Sequence, residues 1–288
     1  MFTIILHGRA GSGDENRIDQ AVKCSTDVIF STWDGAEYDA ISKYAQAKGC
    51  NVLRSIDPGS SESYIQNRTQ KFLNVERFMC SFKLGLKFAK HDYVIRARPD
   101  LEIDYRQLWK IGQRNTDKIL CLNSTTVAPE RFFGPTFYSH ACDWCHGGLR
   151  DYFAKAIEEQ KISEAKLCLL EPIRNGLQLW SAHLSAEQII TLIYLGRDPE
   201  LFSNFDTRVE GLKAVHEVFK EKFLNLSKED VPHYLPKYRG ISNQFYIYKT
   251  RDFSDTGPMS CNIISLVSYF RLLVFDTFQR YVSFLIGK

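Results

Sequence analysis

The chain has 288 residues, of which 44% are hydrophobic and 13% are aromatic, and no long stretch lacks apolar side chains. This composition excludes a disordered protein and allows one large α/β domain or one domain with an appendage. The formal net charge of +3 is small, whereas nucleic-acid-binding proteins carry a concentrated basic face. We therefore expect no nucleic-acid partner.

Short apolar runs alternate with helical patterns over the first hundred residues. Because ligands bind outside the carboxyl ends of the strands in a parallel sheet, the segments GRAGSG, STWDG and RARPDLE, each of which follows a strand, are expected to share one edge. The alternation predicts an α/β fold with a mostly parallel sheet flanked by helices. Strands are predicted at residues 2–6, 27–31, 50–56 and 93–97, and helices at 14–23, 38–48 and about 64–90.

Beyond Asp104 the pattern is less regular, with strands predicted at 118–122 and 138–143 and helices at 151–160 and 186–195. The apolar run 263–286 predicts a terminal helix. Arg271, Asp276 and Arg280 interrupt this run, so it is not expected to span a membrane. A helix that lies in the membrane surface and a helix that covers the core remain alternatives.

Eight cysteines are scattered along the chain, at positions 24, 50, 80, 121, 142, 145, 168 and 261. They form no compact framework, and the start MFTIILHGRAG is typical of a first strand, without the basic lead-in of a secretory signal. These features predict reduced thiols and a cytoplasmic location.

The acids Asp100 and Glu102 stand one residue apart, just past a predicted strand. Both could reach one Mg²⁺ or Mn²⁺, which prefers oxygen ligands and is often completed by substrate phosphates. Arg96 and Arg98 could bind those phosphates or hold the carboxylates in place. The alternative is a solvated loop with local salt bridges, each contributing roughly 0–1 kcal/mol.

The glycine-rich turn after the first strand is a second candidate. Gly8, Gly11 and Gly13, with Arg9 beside the first of them, could bring backbone N–H groups to a phosphate. The spacing matches neither the dinucleotide motif nor the P-loop, so a flexible turn is the alternative. Asp34 follows the second strand, where a ribose-binding acid would stand, but an Asp-Gly turn explains it equally well.

The segment HACDWCHGG holds a C-x-x-C pair, Cys142 and Cys145, without the second pair that a structural zinc site needs. Asp143 and His146 are spaced so that both could face one cleft, whereas the alternative is a packed tryptophan with flanking turn residues. Glu187 stands in the first turn of a predicted helix, where the helix dipole favours an acid. It becomes a candidate general base only if that helix points at the same cleft.

Six short segments of the chain resemble, in the same order, segments of the WavE-type lipopolysaccharide-synthesis family of glycosyltransferases. The resemblance covers approximately residues 1–195. Five or six short motifs in the right order are far more specific than any one of them. The segments are STWDG, DPGS, NVER, RARPDLE, HACDWCHGGL and SAEQ.

The resemblance implies a GT-A-like domain over residues 1–195, in which a βαβ half binds the nucleotide and an acid-x-acid motif holds a divalent metal on the diphosphate. It implies Asp100 as metal ligand and Glu102 as a second one, although Asp-Leu-Glu departs from Asp-x-Asp. His146 would contribute to the metal or phosphate region. Residues 196–288 would complete the fold or bind the acceptor.

The resemblance also implies that Asn74 and Arg77, which match the family's Asn-x-x-Arg helix, face the donor. Either Glu187 or Asp143 would be the acceptor base. The implied activity is transfer of a sugar from a nucleotide sugar to a glycan or lipid-linked glycan of the bacterial surface, lipopolysaccharide or capsule. The segment 263–286 would then touch the inner membrane from the cytoplasmic side.

Two other functions remain alternatives from the sequence. A different metal enzyme such as a nuclease would use Asp100 and nearby acids, but a nuclease would want an acid-x-Lys directly after that residue, and Glu102-Ile103-Asp104 does not supply it. A non-catalytic nucleotide- or glycan-binding module of the same fold would keep affinity without turnover. The sequence leaves open whether a transferase inverts or retains the anomeric centre.

Overall fold

The computed structural model describes residues 1–11, 13–58, 61–63, 71–73, 75–122, 144–159, 186–197, 218–219, 221–226 and 229–234. Its elements in chain order are β1 (Thr3–His7), α1 (Glu15–Cys24), β2 (Asp27–Trp33), a 3₁₀ turn (Ala36–Tyr38), α2 (Asp39–Ala47), β3 (Asn51–Ser55), β4 (Ser61–Ser63), β5 (Lys71–Leu73), α3 (Val75–Phe88), β6 (Tyr93–Ala97), β7 (Glu102–Ile103), α4 (Tyr105–Arg114), β8 (Ile119–Leu122), β9 (Cys145–Leu149), α5 (Arg150–Glu159), α6 (Ala186–Tyr194), β10 (Phe223–Leu226) and β11 (His233–Tyr234).

Seven strands form one twisted sheet in the order β10-β8-β9-β6-β1-β2-β3. Neighbouring strands are parallel except at β9, which runs antiparallel to both β6 and β8. Two short antiparallel pairs, β7 with β11 and β4 with β5, stand outside the sheet. The predicted class, an α/β fold with a mostly parallel sheet flanked by helices, is confirmed by this architecture.

The central strands are buried on both faces, and this explains their continuous apolar sequences. Every residue of β1, β2 and β6 is buried. One face packs against α3, α5 and α6, through residues such as Ile5, Phe82, Phe153 and Ile193. The other face packs against α1, α2 and α4, through residues such as Ile18, Ile41 and Leu108.

The long helix predicted from about residue 64 is wrong in its first part, because α3 begins at Val75 and Lys71–Leu73 is a strand. Phe72 fits the helical spacing, but the backbone there pairs with Ser61–Ser63. Tertiary pairing therefore overrides the local pattern.

Strand β9 was not predicted, because its sequence CHGGL contains two glycines. A side chain at Gly147 would meet the Tyr93 hydroxyl at 3.1 Å, and one at Gly148 would meet the Phe153 ring at 3.1 Å. The glycines thus make room for aromatic neighbours, a requirement that the sequence pattern alone does not show. The strand predicted at 138–143 lies outside the described residues.

Helix α4 and strand β10 were also not predicted. The α4 sequence YRQLWKIGQR is polar, although Tyr105, Leu108 and Gly112 are buried on one side of it. The Asp104 side chain caps this helix by accepting a hydrogen bond from the Gln107 N–H at 2.9 Å. Strand β10 comes from the region after residue 195 and pairs with β8 in the main sheet.

No helix within the described ranges is long and apolar enough to cross a membrane. The apolar run 263–286 lies outside those ranges. The cysteines that the structure describes carry free thiols; they are Cys24, Cys50, Cys80, Cys121 and Cys145.

Candidate functional site

The carboxyl ends of β1, β2, β3, β6, β8 and β10 meet at one edge of the sheet, since these strands run in one direction. Strand β9 runs the other way, so its first residues reach the same edge, where the Arg98 N–H donates to the Trp144 carbonyl at 3.0 Å. We call this edge, with the segments that follow the parallel strands, the carboxyl edge. It gathers the polar strand ends, as the sequence predicted.

The acid motif after β6 begins with a tight ion pair. Arg98 donates from Nε to Asp100 Oδ1 at 2.9 Å and from Nη2 to Asp100 Oδ2 at 2.8 Å. The Leu101 N–H donates to the Arg98 carbonyl at 3.2 Å, which turns the chain and brings the two side chains together. Both side chains are about three-quarters buried, with 24% and 22% exposed.

The second acid of the motif has an arginine of its own. Arg17, in α1, donates from Nη2 to Glu102 Oε1 at 3.2 Å and from Nη1 to Asp14 Oδ1 at 3.3 Å. Asp14 also accepts from the Gly11 N–H at 2.8 Å. Burial raises the pKa of Asp14, and the nearby charge of Asp100 raises it further.

Asp14 and Arg17 belong to this site, although the sequence analysis missed them. They follow the glycine-rich turn at three-residue spacing, in GSGDENR. Both residues fit the pattern of a helix start, so nothing in the sequence marked them as site residues. Only the packing of α1 beside β7 shows that they reach the acid motif.

At β2, Asp34 is exposed and its N–H donates to the Ser55 carbonyl at 2.8 Å. Arg54 lies 3.5 Å from its carboxylate, measured from Nε to Oδ1. The same guanidinium donates to Asp39 Oδ1 at 2.6 Å and to the Gly35 carbonyl at 2.9 Å. Asp34 is therefore held at the edge but keeps most of its surface open to solvent.

Arg77 stands in the first turn of α3 and donates to Asp57 in the segment after β3. Two of the motif segments, DPGS and NVER, therefore meet. Arg77 is one of the residues that the sequence placed near the donor, and Asn74, its partner in that motif, lies outside the described residues. Gly8 has a φ of 107°, a conformation that favours glycine. Arg9, next to it, is exposed.

Arg96 lies in a buried layer beneath α3, not among the exposed groups of the carboxyl edge. Its Nε donates to His7 Nε2, and its guanidinium carbon lies 4.2 Å from the centre of the Phe78 ring. Only 2% of Arg96 is exposed. The cation thus rests on an aromatic face and a neutral imidazole.

His7 is kept neutral by this environment. Burial, and then the charge of Arg96, lowers its pKa well below the usual value of 6.5. Because Nε2 accepts from the arginine, the proton stands on Nδ1, which donates to Ser81 Oγ at 2.7 Å. The serine hydroxyl in turn donates to the Arg77 carbonyl at 2.8 Å. This chain of hydrogen bonds connects β6, β1 and α3.

His146 lies in the same buried layer, opposite Arg96 in the register of β9 with β6. Its side chain is fully buried, its Nδ1 lies 3.1 Å from the Tyr194 hydroxyl, and its ring packs edge-on against Phe78. Of the two candidate bases, Asp143 lies outside the described residues. The backbone of Glu187 is in the first turn of α6, but its side chain also lies outside what the structure describes.

The carboxylates of Asp100 and Glu102 fit a hard divalent cation in chemistry, since both are oxygen donors at a ligand-binding edge. Within the part of the chain that the structure describes, no three His, Cys, Asp or Glu side chains are grouped to hold a metal. Two carboxylates completed by substrate phosphates would be the arrangement that Mg²⁺ commonly takes. His146 stays a predicted ligand only.

The fold and the carboxyl edge define an α/β protein with a charged site of arginine–carboxylate pairs at the ends of its parallel strands. A profile of the WavE lipopolysaccharide synthesis family matches residues 18–226. The chain belongs to this family. A comparison with curated protein sequences gives no significant match.

Several solved structures are similar at low identity. The apo form of the glycosyltransferase GlyE from Streptococcus pneumoniae TIGR4 has 12% identity and a TM-score of 0.33, over 76% of this chain and 50% of GlyE. This chain thus spans about half the length of that protein. A UDP-glucose pyrophosphorylase in complex with UDP-glucose has 6% identity and a TM-score of 0.35, over 75% of this chain and 98% of the other. These values are too low to carry an argument about function.

Proposed function

We propose that this protein is a glycosyltransferase that moves a sugar from a nucleotide-sugar donor to a growing bacterial surface glycan, either lipopolysaccharide or capsule. The observation that carries the proposal is the convergence of the family's charged motifs on the carboxyl edge. Family membership supports the role in lipopolysaccharide synthesis. The acceptor would be a glycan or a lipid-linked glycan, met at the inner membrane through residues 263–286.

The donor would lie along the carboxyl edge. Arg9 would offer a cation to its phosphates, Asp34 would bind the ribose, and Arg98 would bind the diphosphate. The Gly8 N–H donates to the Ser31 carbonyl at 3.1 Å, so Gly8 would contribute by letting the turn approach the phosphates. Arg77 would act with Asn74 near the donor. Arg96 would act from the buried layer, by supporting the end of β6. A divalent cation, Mn²⁺ or Mg²⁺, on Asp100 and Glu102 would neutralise negative charge on the diphosphate, and His146 would support that region.

The transfer itself would form a bond between the acceptor oxygen and the anomeric carbon and break the bond from that carbon to the phosphate oxygen. The electron pair of the broken bond leaves with the nucleoside diphosphate, where Arg98 would stabilise the new negative charge. The proton of the acceptor hydroxyl goes to a carboxylate, Glu187 or Asp143.

Thermal unfolding with UDP, GDP, CDP and CMP, each with Mn²⁺ or with EDTA, tests donor binding. A nucleotide at 100 times its Kd should stabilise the fold by about 2.7 kcal/mol. Release of that nucleotide from its sugar conjugates then tests transfer. Of Glu187→Gln and Asp143→Asn, the variant that removes the base should lose turnover and keep the nucleotide-induced shift. If no nucleotide shifts the wild type under any condition, the donor site is abandoned.

A further inference from the structure

The Arg98–Asp100 pair joins two groups that donor binding needs separately. Arg98 donates from Nε and Nη2 to the two oxygens of Asp100. These two adjacent donors are also the ones with which a guanidinium binds a phosphate. Those same oxygens are the ones that a divalent cation would take. While the pair is closed, neither group is fully available to its ligand.

The second acid repeats this arrangement. Glu102 is the other carboxylate of the motif, and Arg17 binds it from a different part of the chain, at 3.2 Å. Each acid of the motif is therefore matched with one arginine. A solvated loop with chance salt bridges would not be expected to pair both acids with cations, one from α1 and one from the segment just after β6, in this way.

We propose that these pairs exchange partners when the donor binds: the diphosphate takes the arginines, and the divalent cation takes the carboxylates. The inference rests on the proposed function, and it adds that cation and diphosphate bind cooperatively. A ligand that arrives alone at the Arg98–Asp100 pair must break this ion pair and separate one of the two side chains from the opposite charge that it contacts. When both arrive together, every charge keeps a partner, so each ligand strengthens the binding of the other.

The exchange predicts an outcome that a simple metal site does not. Asp100→Asn removes the charge that holds Arg98 and keeps the size of the side chain. In EDTA, this variant should bind the nucleoside diphosphate about tenfold more tightly than the wild type, a typical coupling between two sites. A metal site without the ion pair would gain only from the loss of repulsion between Asp100 and the diphosphate, and would gain equally in an Arg98→Gln background, whereas the exchange predicts no gain there.

The experiment is calorimetric titration of the full chain with UDP, GDP and CDP, each in EDTA and in Mn²⁺. The wild type should bind one of them more tightly with Mn²⁺, and Asp100→Asn should bind it in EDTA without further gain from Mn²⁺. Asp117→Asn is the matched control, because this exposed acid precedes β8 at the opposite edge of the sheet. It should behave as the wild type does. Binding by Asp100→Asn in EDTA that is no tighter than the wild type overturns the exchange and makes the pair structural.

Arg98→Gln provides a second test that needs no nucleotide. It separates Asp100 from its arginine, so Mn²⁺ alone should bind this variant several-fold more tightly than it binds the wild type. The decrease of the electron paramagnetic resonance signal of free Mn²⁺ measures this affinity. Unchanged Mn²⁺ affinity in a folded Arg98→Gln variant overturns the exchange. Failure of every nucleotide to bind the wild type, in EDTA or in Mn²⁺, instead counts against the proposed function, while the Mn²⁺ titration still decides whether Arg98 and the cation compete for Asp100.

Discussion

Arg77 binds Asp57 through two parallel hydrogen bonds, from Nε to Oδ1 at 2.7 Å and from Nη2 to Oδ2 at 2.6 Å. The pair connects the segment after β3 to the first turn of α3. The hydrogen bond with Asp57 raises the pKa of Arg77. Because both residues belong to motif segments, the pair fixes the position of one motif against the other at the carboxyl edge.

A double-mutant cycle should measure this connection. Asp57→Asn and Arg77→Gln are each expected to lower the free energy of unfolding, and the double variant should cost less than the sum of the two. We expect a coupling energy of about 1 kcal/mol, since the pair is bidentate but partly exposed. Urea unfolding at low and high salt is the measurement, and the coupling should shrink in salt.

The pair Arg150–Asp151 is the control for this cycle. Its single hydrogen bond is 3.2 Å long, and Asp151 is largely exposed. Its coupling energy should be close to zero at either salt concentration. Equal coupling in the two pairs would contradict the connecting role of Arg77.

The neutral state of His7 predicts a pH dependence of stability. Its pKa in the folded protein is lowered well below 6.5. Just below pH 6.5, His7 therefore binds a proton in the unfolded chain but not in the folded protein. This contribution to stability is fully present above about pH 6.5 and is lost as the pH falls below that value, by at most about 1.4 kcal/mol per pH unit. Urea unfolding at pH 7.5, 6.5 and 5.5 measures the slope.

His7→Gln is the matched variant, since glutamine can accept from Arg96 and donate to Ser81 without titrating. The slope between pH 6.5 and 5.5 should be shallower in this variant than in the wild type. An identical slope would show that some other group causes the loss of stability in acid.

The contact of α3 with β1 predicts an unusual response at Gly85. Alanine in place of a helical glycine ordinarily stabilises by about 1 kcal/mol. Here the added Cβ would lie 2.5 Å from Ile5 Cγ2, inside the core. We expect Gly85→Ala to destabilise by about 1–3 kcal/mol. Ile5→Ala should be less harmful in the Gly85→Ala background than in the wild type, and thermal unfolding of the four proteins checks this.

Two buried tyrosines should respond in opposite ways to loss of the hydroxyl. The Tyr93 hydroxyl has no hydrogen-bond partner among the residues that the structure describes, so Tyr93→Phe should be neutral or stabilising by up to about 1 kcal/mol. The Tyr194 hydroxyl lies 3.1 Å from His146 Nδ1, so Tyr194→Phe should destabilise by about 1 kcal/mol. Urea unfolding of both variants is the measurement. A loss at Tyr93 equal to that at Tyr194 would indicate a partner for the Tyr93 hydroxyl.

Local patterns were sufficient for the strands that are buried on both faces, and for the edge at which they end. Continuous apolar runs such as that of β6 leave few alternatives, and parallel order then places Asp34 and Asp100 at one edge. The patterns failed where a neighbour distant in sequence decides the conformation. Gly147 and Gly148 are strand residues because two aromatic side chains need the space beside them.

The candidate site shows the same division. Asp100 and Glu102 were visible as a motif, whereas Arg17 looked like an ordinary residue of a helix. Its role in the pairing follows from the packing of α1, which no spacing in the sequence encodes. Arg96 and Arg98 looked equivalent in sequence, but Arg96 is the residue inside β6 and Arg98 lies just beyond it, so one is enclosed by the core and the other remains partly open to the edge.

The reversed direction of β9 has a consequence for how such a protein can diversify. Strand β8 ends at Leu122 and β9 begins at Cys145, and both of these points lie at the carboxyl edge, on adjacent strands. The described chain on either side of residues 123–143 therefore joins the sheet at the carboxyl edge. Doubling the length of a flexible segment with fixed ends costs only about 0.6 kcal/mol in closure entropy. Changes of length between these two anchor points would therefore leave the sheet that carries them the same.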